Sequence, residues 1–380
     1  MENSNYNITI IGAGNGGRAF AVYLSRLGHD VTLLYRTSKY VENIIDSKTI
    51  LSFGYISGSH KIKMITNNYK KAIENADIIL YVIPASAHLS VTKQILPHLK
   101  NNQIIILNPG RTWGAIEVYN TIKYDRPKLQ IHVGETQTLL FTCRKIHDFG
   151  VSILKIKNSV DFCFYPEEDN EILFPIINSI FPEFNLVDDI RETSLNNIGA
   201  VIHPVITVLN AGSITRKSDF HFYEEGISKN IANLVEKVDQ ERCKILKYIG
   251  VKPISLIKWA NNVYDCKATD YYEVFHQIDS YKNIKAPVSL RVRYLTEDIP
   301  TGLVPLSSIA KYLSISTPNI NSIIVIATTL LNTNFYKIGR TIERIPAIKS
   351  LLIKKWVSKE PEYSNTLLQT QNSLFYNNFE

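Results

Sequence analysis

Six residues near the start of the chain, GAGNGG, restrict its fold more than any other stretch. They follow the apolar run NITII and open an amphipathic segment, so they mark a turn from a buried strand into a helix. Gly12, Gly14 and Gly17 have the spacing GxGxxG. In this setting the first glycine permits a tight turn, the second a close approach to the backbone, and the third close packing of helix on strand. A helix N-terminus reached this way presents free N–H groups to an anion, with Asn15 and Gly16 in its first turn. The motif thus points to the pyrophosphate of a dinucleotide, bound at Gly12, Gly14, Asn15, Gly16 and Gly17.

The pattern that follows agrees. NITIIG, DVTLLY, KIKMI, DIILYVI, QIIILN and QIHVG read as strands, separated by helical segments over 16–27, 70–75 and 86–96. Runs apolar throughout suit strands covered on both faces. Beyond about Asp189 the strand signals stop. Residues 227–248 carry Ile231, Leu234, Val235, Val238 and Ile245 at helical spacing, and Thr317-Pro318 reads as an N-cap followed by proline, opening a helix through Leu331. The expectation is an α/β chain with an N-terminal Rossmann doubly wound sheet over 1–190 and a mainly α-helical C-terminal domain over 191–380, which holds substrate. The polar stretch SNTLLQTQNSLFYNNFE at the end receives no element.

Charge narrows the partners. The net charge is +7, but the lysines and arginines form no stripe, so nucleic acid is not expected and small anions are. The four cysteines form no CxxC pair and no metal-ligand spacing, so neither a disulfide nor a metal is expected. Apolar runs such as IIVIATTLL fall short of the ~20 residues that span a bilayer. No signal peptide precedes the first strand, and a cytoplasmic location follows as an expectation. Monomer and homodimer both stay open.

Cofactor choice turns on the end of the second strand. Where an acidic residue would hold a ribose 2′-hydroxyl, the chain has Arg36, Thr37 and Ser38, which suit a 2′-phosphate. NADP(H) is the expected cofactor, with NAD(H) as the alternative. Pro84, ending DIILYVIP, is expected beneath the cofactor. Gly110 in NPGRT would let backbone approach the nicotinamide ribose, and Glu135 and Thr142 in GETQTLLFTCR would flank the nicotinamide. Strand-end packing is the alternative reading for all of these.

The chemistry is sought in LNNIGAVIHPVITVLNAG. Asn196, Gly199, His203, Thr207 and Asn210 fall in one stripe of ~80° on a helix otherwise clothed in apolar residues, so this face is expected to line a cleft. Thr207 and Asn210 would then meet substrate, and Pro204 should kink the helix or begin a new one beside His203. A histidine that moves protons near neutrality needs a partner to fix its tautomer. Spacing alone does not choose one; RVRYLTEDIPTGLVP offers Glu297 and Asp298 about one helical turn after Arg293.

GAGNGGRAFAVYL, IIILNPGRTWGAIE, GETQTLLFTCR, VIHPVITVLNAG, LVEKVDQER, RYLTEDIPTGLVPLS and GRTIE, in this order, resemble the opine dehydrogenases, the octopine and nopaline dehydrogenase family. The resemblance spans about residues 7–345. It implies a Rossmann domain joined to a helical domain with the active site between them. It also implies NAD(P)H-dependent reduction of the imine formed from an amino acid and a 2-keto acid such as pyruvate. Carried onto matching positions, His203 and Asp298 are the catalytic pair and Arg293 holds a substrate carboxylate. Arg36 departs from relatives with an acidic residue there. Two other readings stay open: a 2-hydroxy acid or ketopantoate-type reductase, which would carry lysine where Gly199 is followed by His203, and a non-catalytic NADP(H)-sensing regulatory protein.

Overall fold

The computed structural model describes residues 5–264 and 266–353; the polar C-terminal stretch lies outside them. Eight strands form one sheet, in the order Phe184–Leu186, Val160–Tyr165, Ile131–Thr136, Gln103–Leu107, Ile78–Tyr81, Asn7–Ile11, Asp30–Leu34 and Met64–Thr66. The last six run parallel. Val160–Tyr165 pairs antiparallel with Ile131–Thr136 and parallel with Phe184–Leu186. The register sets Ile8 between Val31 and Ile78. Every residue of Ile78–Tyr81 and Gln103–Leu107 is buried; the runs IILY and IIIL are apolar throughout, and the Gln103 amide donates to the Ile73 and Ala76 carbonyls.

The chain leaves Asn7–Ile11 toward one edge and returns to pair Ile78–Tyr81 on its other side. Strand order reverses there, and doubly wound sheets bind ligands in the crevice at that point. The helix Asn15–Arg26 begins beside it.

The sequence pattern did not reveal a second, four-stranded sheet, ordered Gly58–Lys61, Thr49–Gly54, Gly150–Ile156 and Phe141–Ile146. None of the residues in Gly58–Lys61 is fully buried, so no apolar periodicity marks that strand. The expected strand KIKMI is divided: Lys61 ends this sheet and Met64 begins the edge strand of the main one. The small sheet packs on the helix Asn15–Arg26, with the Phe20 and Phe141 rings 4.7 Å apart edge to face.

From Ile190 onward the elements are helical. Lys229–Tyr248 starts at Ser228, whose hydroxyl accepts from the Ile231 N–H at 3.3 Å. Pro318–Leu331 begins where Thr317-Pro318 indicates, but the threonine hydroxyl makes no cap bond. Glu241, from the neighbouring helix, accepts instead from the N–H groups of Asn319 and Ile320 at 2.9 and 2.8 Å. Among the described residues no helix is long and apolar enough to cross a membrane, and the four cysteines are free thiols.

One buried arginine fastens the helical part to the sheet. Arg340 places Nε 2.9 Å from the Glu117 carboxylate and donates through Nη1 to the carbonyls of Gly110 and Thr112 and through Nη2 to that of Ala85. Those acceptors sit just past the strands Gln103–Leu107 and Ile78–Tyr81. Arg340→Met leaves the Glu117 carboxylate and three carbonyls buried without their donor. It should destabilise the protein by ~3–5 kcal/mol, the cost of breaking a buried pair from one side. Urea unfolding at pH 7 checks this, and a loss below about 1 kcal/mol would show that the clamp contributes little.

Candidate functional site

His203 sits on the helix Ile198–Leu209, which buries its aliphatic faces. The helix runs through Pro204 without ending, so the expected new start beside His203 is absent. The Thr207 hydroxyl donates to the His203 carbonyl at 2.7 Å. The imidazole is held on both edges: Nδ1 lies 2.7 Å from Asp298 Oδ2 and Nε2 lies 3.0 Å from the Tyr223 hydroxyl. The Tyr294 ring stacks on it, centroids 4.5 Å apart. Because an ionised carboxylate only accepts, Nδ1 is assigned the proton and Nε2 is left as the working nitrogen. The side chain is 13% exposed, at the wall of a cavity.

Asp298 reaches His203 from the turn that the sequence marks as TEDIPTG. The Leu303 N–H donates to the Asp298 carbonyl at 3.1 Å, a five-residue reach that makes Ile299–Leu303 a π-helical turn. This turn packs directly on the histidine's helix: a Cβ on Gly302 would lie 2.3 Å from that of Ala200. The carboxylate is fully buried, and Arg111 Nη2 stands 3.5 Å from its Oδ1. Burial by itself would raise this carboxyl, but Arg111 and then His203 outweigh it and hold it down to about 2.

Arg111 is the residue that sequence reasoning missed. It follows Gly110 in NPGRT with φ 59°, in the left-handed region, which a non-glycine residue rarely occupies. From there Nε donates to Glu297 Oε1 at 3.3 Å and Nη1 to Asn197 Oδ1 at 3.1 Å. The missing side chain of Gly199 gives it room, since a Cβ there would meet Nη1 at 2.7 Å. Arg293 approaches Glu297 from the other side, its Nε 4.0 Å from Oε2, and is 60% exposed within the cavity. The partly dry cavity wall works against its charge, but Glu297 and Asp298 outweigh that effect and raise its pKa.

The cavity, about 430 Å³, runs from the glycine turn past Pro84, Asn108 and Thr142 to His203, Arg293 and the aromatic residues Tyr264 and Tyr281. Its two ends belong to the sheet and to the helical part. At the first end the residues fit a dinucleotide. Gly12 has φ 113°, and a Cβ on Gly17 would meet the Gly12 carbonyl at 1.6 Å, so turn and helix are in contact. Above Gly14 there is open space, and no side chain caps the helix it precedes. The first-turn N–H groups are thus left for an anion. Asn15 and Gly16 also line the cavity, and the Asn15 Oδ1 accepts from the Lys145 N–H. Arg36, Thr37 and Ser38 lie exposed just past the strand Asp30–Leu34, and Arg36 makes no hydrogen bond or ion pair among the described residues.

Arg36, Thr37 and Ser38 do not line the cavity itself, and four further expected contacts, Thr207, Asn210, Glu135 and Gly110, are not brought to it either. Thr207 is fully buried and bonded within its helix. Asn210 lies past the helix end, where its amide donates to the carbonyls of Ile206 and Gly226. The stripe on the helical wheel ran one turn beyond the part that meets the cleft. Glu135 is buried beneath the Pro-Gly loop, accepting from the hydroxyls of Thr193 and Ser194 and from the Ala115 N–H at 2.8 Å. Gly110 is small for the sake of that carboxylate, because a Cβ would lie 2.1 Å from Glu135 Oε2. For these two, strand-end packing is the role the structure gives. The tyrosines around His203 carried no spacing signal, whereas Arg111 was visible as the one charge in NPGRT.

Comparison with known proteins bears on both halves. Residues 186–331 match the family model described as NAD/NADP octopine/nopaline dehydrogenase, alpha-helical domain, and residues 7–110 match the N-terminus of NAD-dependent glycerol-3-phosphate dehydrogenase. An opine dehydrogenase of Arthrobacter sp. (strain 1C) is 34% identical over 91% of this chain and 96% of its own. Among solved structures, octopine dehydrogenase with NADH and L-arginine superimposes with a TM-score of 0.74 at 20% identity, covering 92% of this chain and 98% of that one. NADP+-bound yersinopine dehydrogenase does so with 0.74 at 14%, covering 94% and 100%.

The depressed carboxyl of Asp298 has a consequence for stability. A group whose folded pKa lies below its unfolded value of 3.8 stabilises the fold above that pH, and the contribution fades as pH falls toward 2. Asp298→Asn should therefore cost on the order of 2 kcal/mol at neutral pH, and the gap from wild type should close in acid. Urea unfolding from pH 7 to about pH 3 measures this; a gap that widened in acid would contradict the charge assignment.

Proposed function

This chain belongs to the opine dehydrogenase family and is an NAD(P)-dependent oxidoreductase; within that class we propose that it condenses an amino acid with a 2-keto acid, reducing the imine between them to a secondary amine dicarboxylate. The observation that carries this reading is the His203–Asp298 pair at 2.7 Å, opening on a cavity that also holds Arg293 and the glycine turn. In this reading the chain divides at 190/191, between the part that holds the dinucleotide and the part that holds substrate. Four free thiols suit a reducing compartment, which makes the cytoplasm the proposed location.

Each protein group has a task. Arg293, half inside the cavity, grips the keto acid carboxylate with its planar guanidinium and so orients the carbonyl. With its ring protonated, His203 gives the Nε2 proton to the carbonyl oxygen as the amine adds, takes one back from the ammonium so formed, and returns it as that oxygen leaves as water. Asp298 keeps Nδ1–H in place and supports the charged ring while Nε2 trades the proton. Tyr223, bonded to Nε2, sits where that proton passes. A nicotinamide held at the glycine-turn end of the cavity would supply the hydride that reduces the imine. Arg36, unpaired and exposed beside the glycine turn, favours a 2′-phosphate, hence NADP(H) over NAD(H).

An NADPH-oxidation screen crossing pyruvate, 2-oxoglutarate and oxaloacetate with the common amino acids should show oxidation only when both substrates are present. Oxidation by keto acid alone would instead make this a keto acid reductase. With the best pair, His203→Ala should lower kcat by ~10²–10⁴ while the cofactor still binds, and near-normal turnover would remove His203 from the chemistry. Arg36→Ala should weaken NADPH use by ~1.5–3 kcal/mol and spare NADH; an equal loss with both cofactors would count against the 2′-phosphate role.

A further inference from the structure

One more cation stands on the cavity wall, apart from the groups used above. Lys157 follows the strand Gly150–Ile156 and is only 5% exposed. Its own N–H donates to the Leu140 carbonyl at 3.1 Å, which seats it against the segment that faces the glycine turn. Its ammonium donates to the Thr138 hydroxyl at 2.8 Å and makes no other hydrogen bond or ion pair among the described residues. An ammonium has three donors, so two are left over.

The other cationic side chains of the wall are compensated. Arg111 has Glu297 at 3.3 Å and Asp298 at 3.5 Å, and Arg293 has Glu297 at 4.0 Å. Lys157 has no such partner. Holding an ammonium out of water with neither counter-charge nor full hydrogen bonding is costly. Burial, and Arg111 close by, accordingly bring its pKa down to about 7. An anion entering the cavity would supply both the missing charge and the missing acceptors. The proposed reaction brings two carboxylates, and Arg293 accounts for one.

We propose that Lys157 is the anchor for the second carboxylate, that of the amino acid donor, and so restricts the donor to amino acids as against simple amines. This rests on the reading of the chain as an imine-reducing enzyme. Thr138 holds the ammonium in place, and a compact charge on a flexible stem accepts a carboxylate over a range of angles while donor side chains vary.

The test separates the two ideas. Calorimetry on the NADP+-loaded protein would compare iminodiacetate, the smallest secondary amine dicarboxylate, with sarcosine, which lacks one of its carboxylates. Wild type should bind iminodiacetate roughly 10- to 100-fold more tightly, the worth of a charged hydrogen bond. Lys157→Met should abolish that preference and Lys157→Arg should restore part of it. A wild type without the preference, or a Lys157→Met variant that keeps it, overturns the proposal. In turnover, Lys157→Met should raise the KM for the amino acid and leave that for the keto acid unchanged; a rise for the keto acid instead overturns the assignment. Amine-independent NADPH oxidation by wild type would sink the functional reading, and the calorimetric comparison would still judge Lys157.

Discussion

The arrangement of the site depends on one buried carboxylate shared by an imidazole and a guanidinium. Asp298 is fully enclosed, with His203 on one oxygen and Arg111 facing the other. Neither partner is its neighbour in sequence: the histidine lies 95 residues upstream and the arginine comes from the loop after Gln103–Leu107. A carboxylate in this position cannot stay ionised alone, and without it the Arg111 guanidinium and the His203 Nδ1–H would lose a buried partner. The three groups therefore specify one another, and the loop, the helix and the π-helical turn that carry them are fixed together.

The same logic joins the two parts of the chain. Arg111 reaches from the sheet to Glu297 and Asp298, while Arg340 reaches back from the helical part to Glu117 and the loop carbonyls beside Arg111. The backbone adds a further tie, the Thr112 N–H donating to the Thr301 carbonyl at 3.1 Å. The cleft wall is thus built from charge pairs that cross it, and the left-handed backbone of Arg111 is held by those pairs.

Much of this was legible in the sequence where a local pattern exists. GAGNGG fixed the turn because three glycines at that spacing answer three separate close approaches, and the buried parallel strands betrayed themselves as unbroken apolar runs. His203 stood out as a polar residue on an apolar helix. What was hidden arises from contacts between distant segments. The edge strand Gly58–Lys61 has no apolar face to report itself. Glu135 looks like a site residue in one dimension and becomes a buried brace only when Thr193 and Ser194 arrive from 58 and 59 residues away. Thr207 lies on the right face of the helix by periodicity, but the cleft ends before reaching it. Arg111 was overlooked because the glycine beside it drew the functional reading, although its charge was the more informative feature.

The charge left over in the cavity bears on the order of events in the proposed reaction. Three basic side chains, Arg111, Arg293 and Lys157, face two carboxylates, Glu297 and Asp298, so whenever Lys157 holds its proton, as it does below about pH 7, the wall carries an excess of positive charge before substrate binds. That excess attracts the carboxylates of both substrates and opposes the ammonium of an incoming amino acid. Burial first, and Arg111 second, lower the Lys157 pKa, and an amino group held out of water beside Arg111 would meet the same two influences and give up its proton more readily than in water. Only the neutral amine has the lone pair that attacks a carbonyl. The electrostatic imbalance that draws in the acid groups would therefore also prepare the nucleophile, so that no side-chain base is needed to free its lone pair before it attacks.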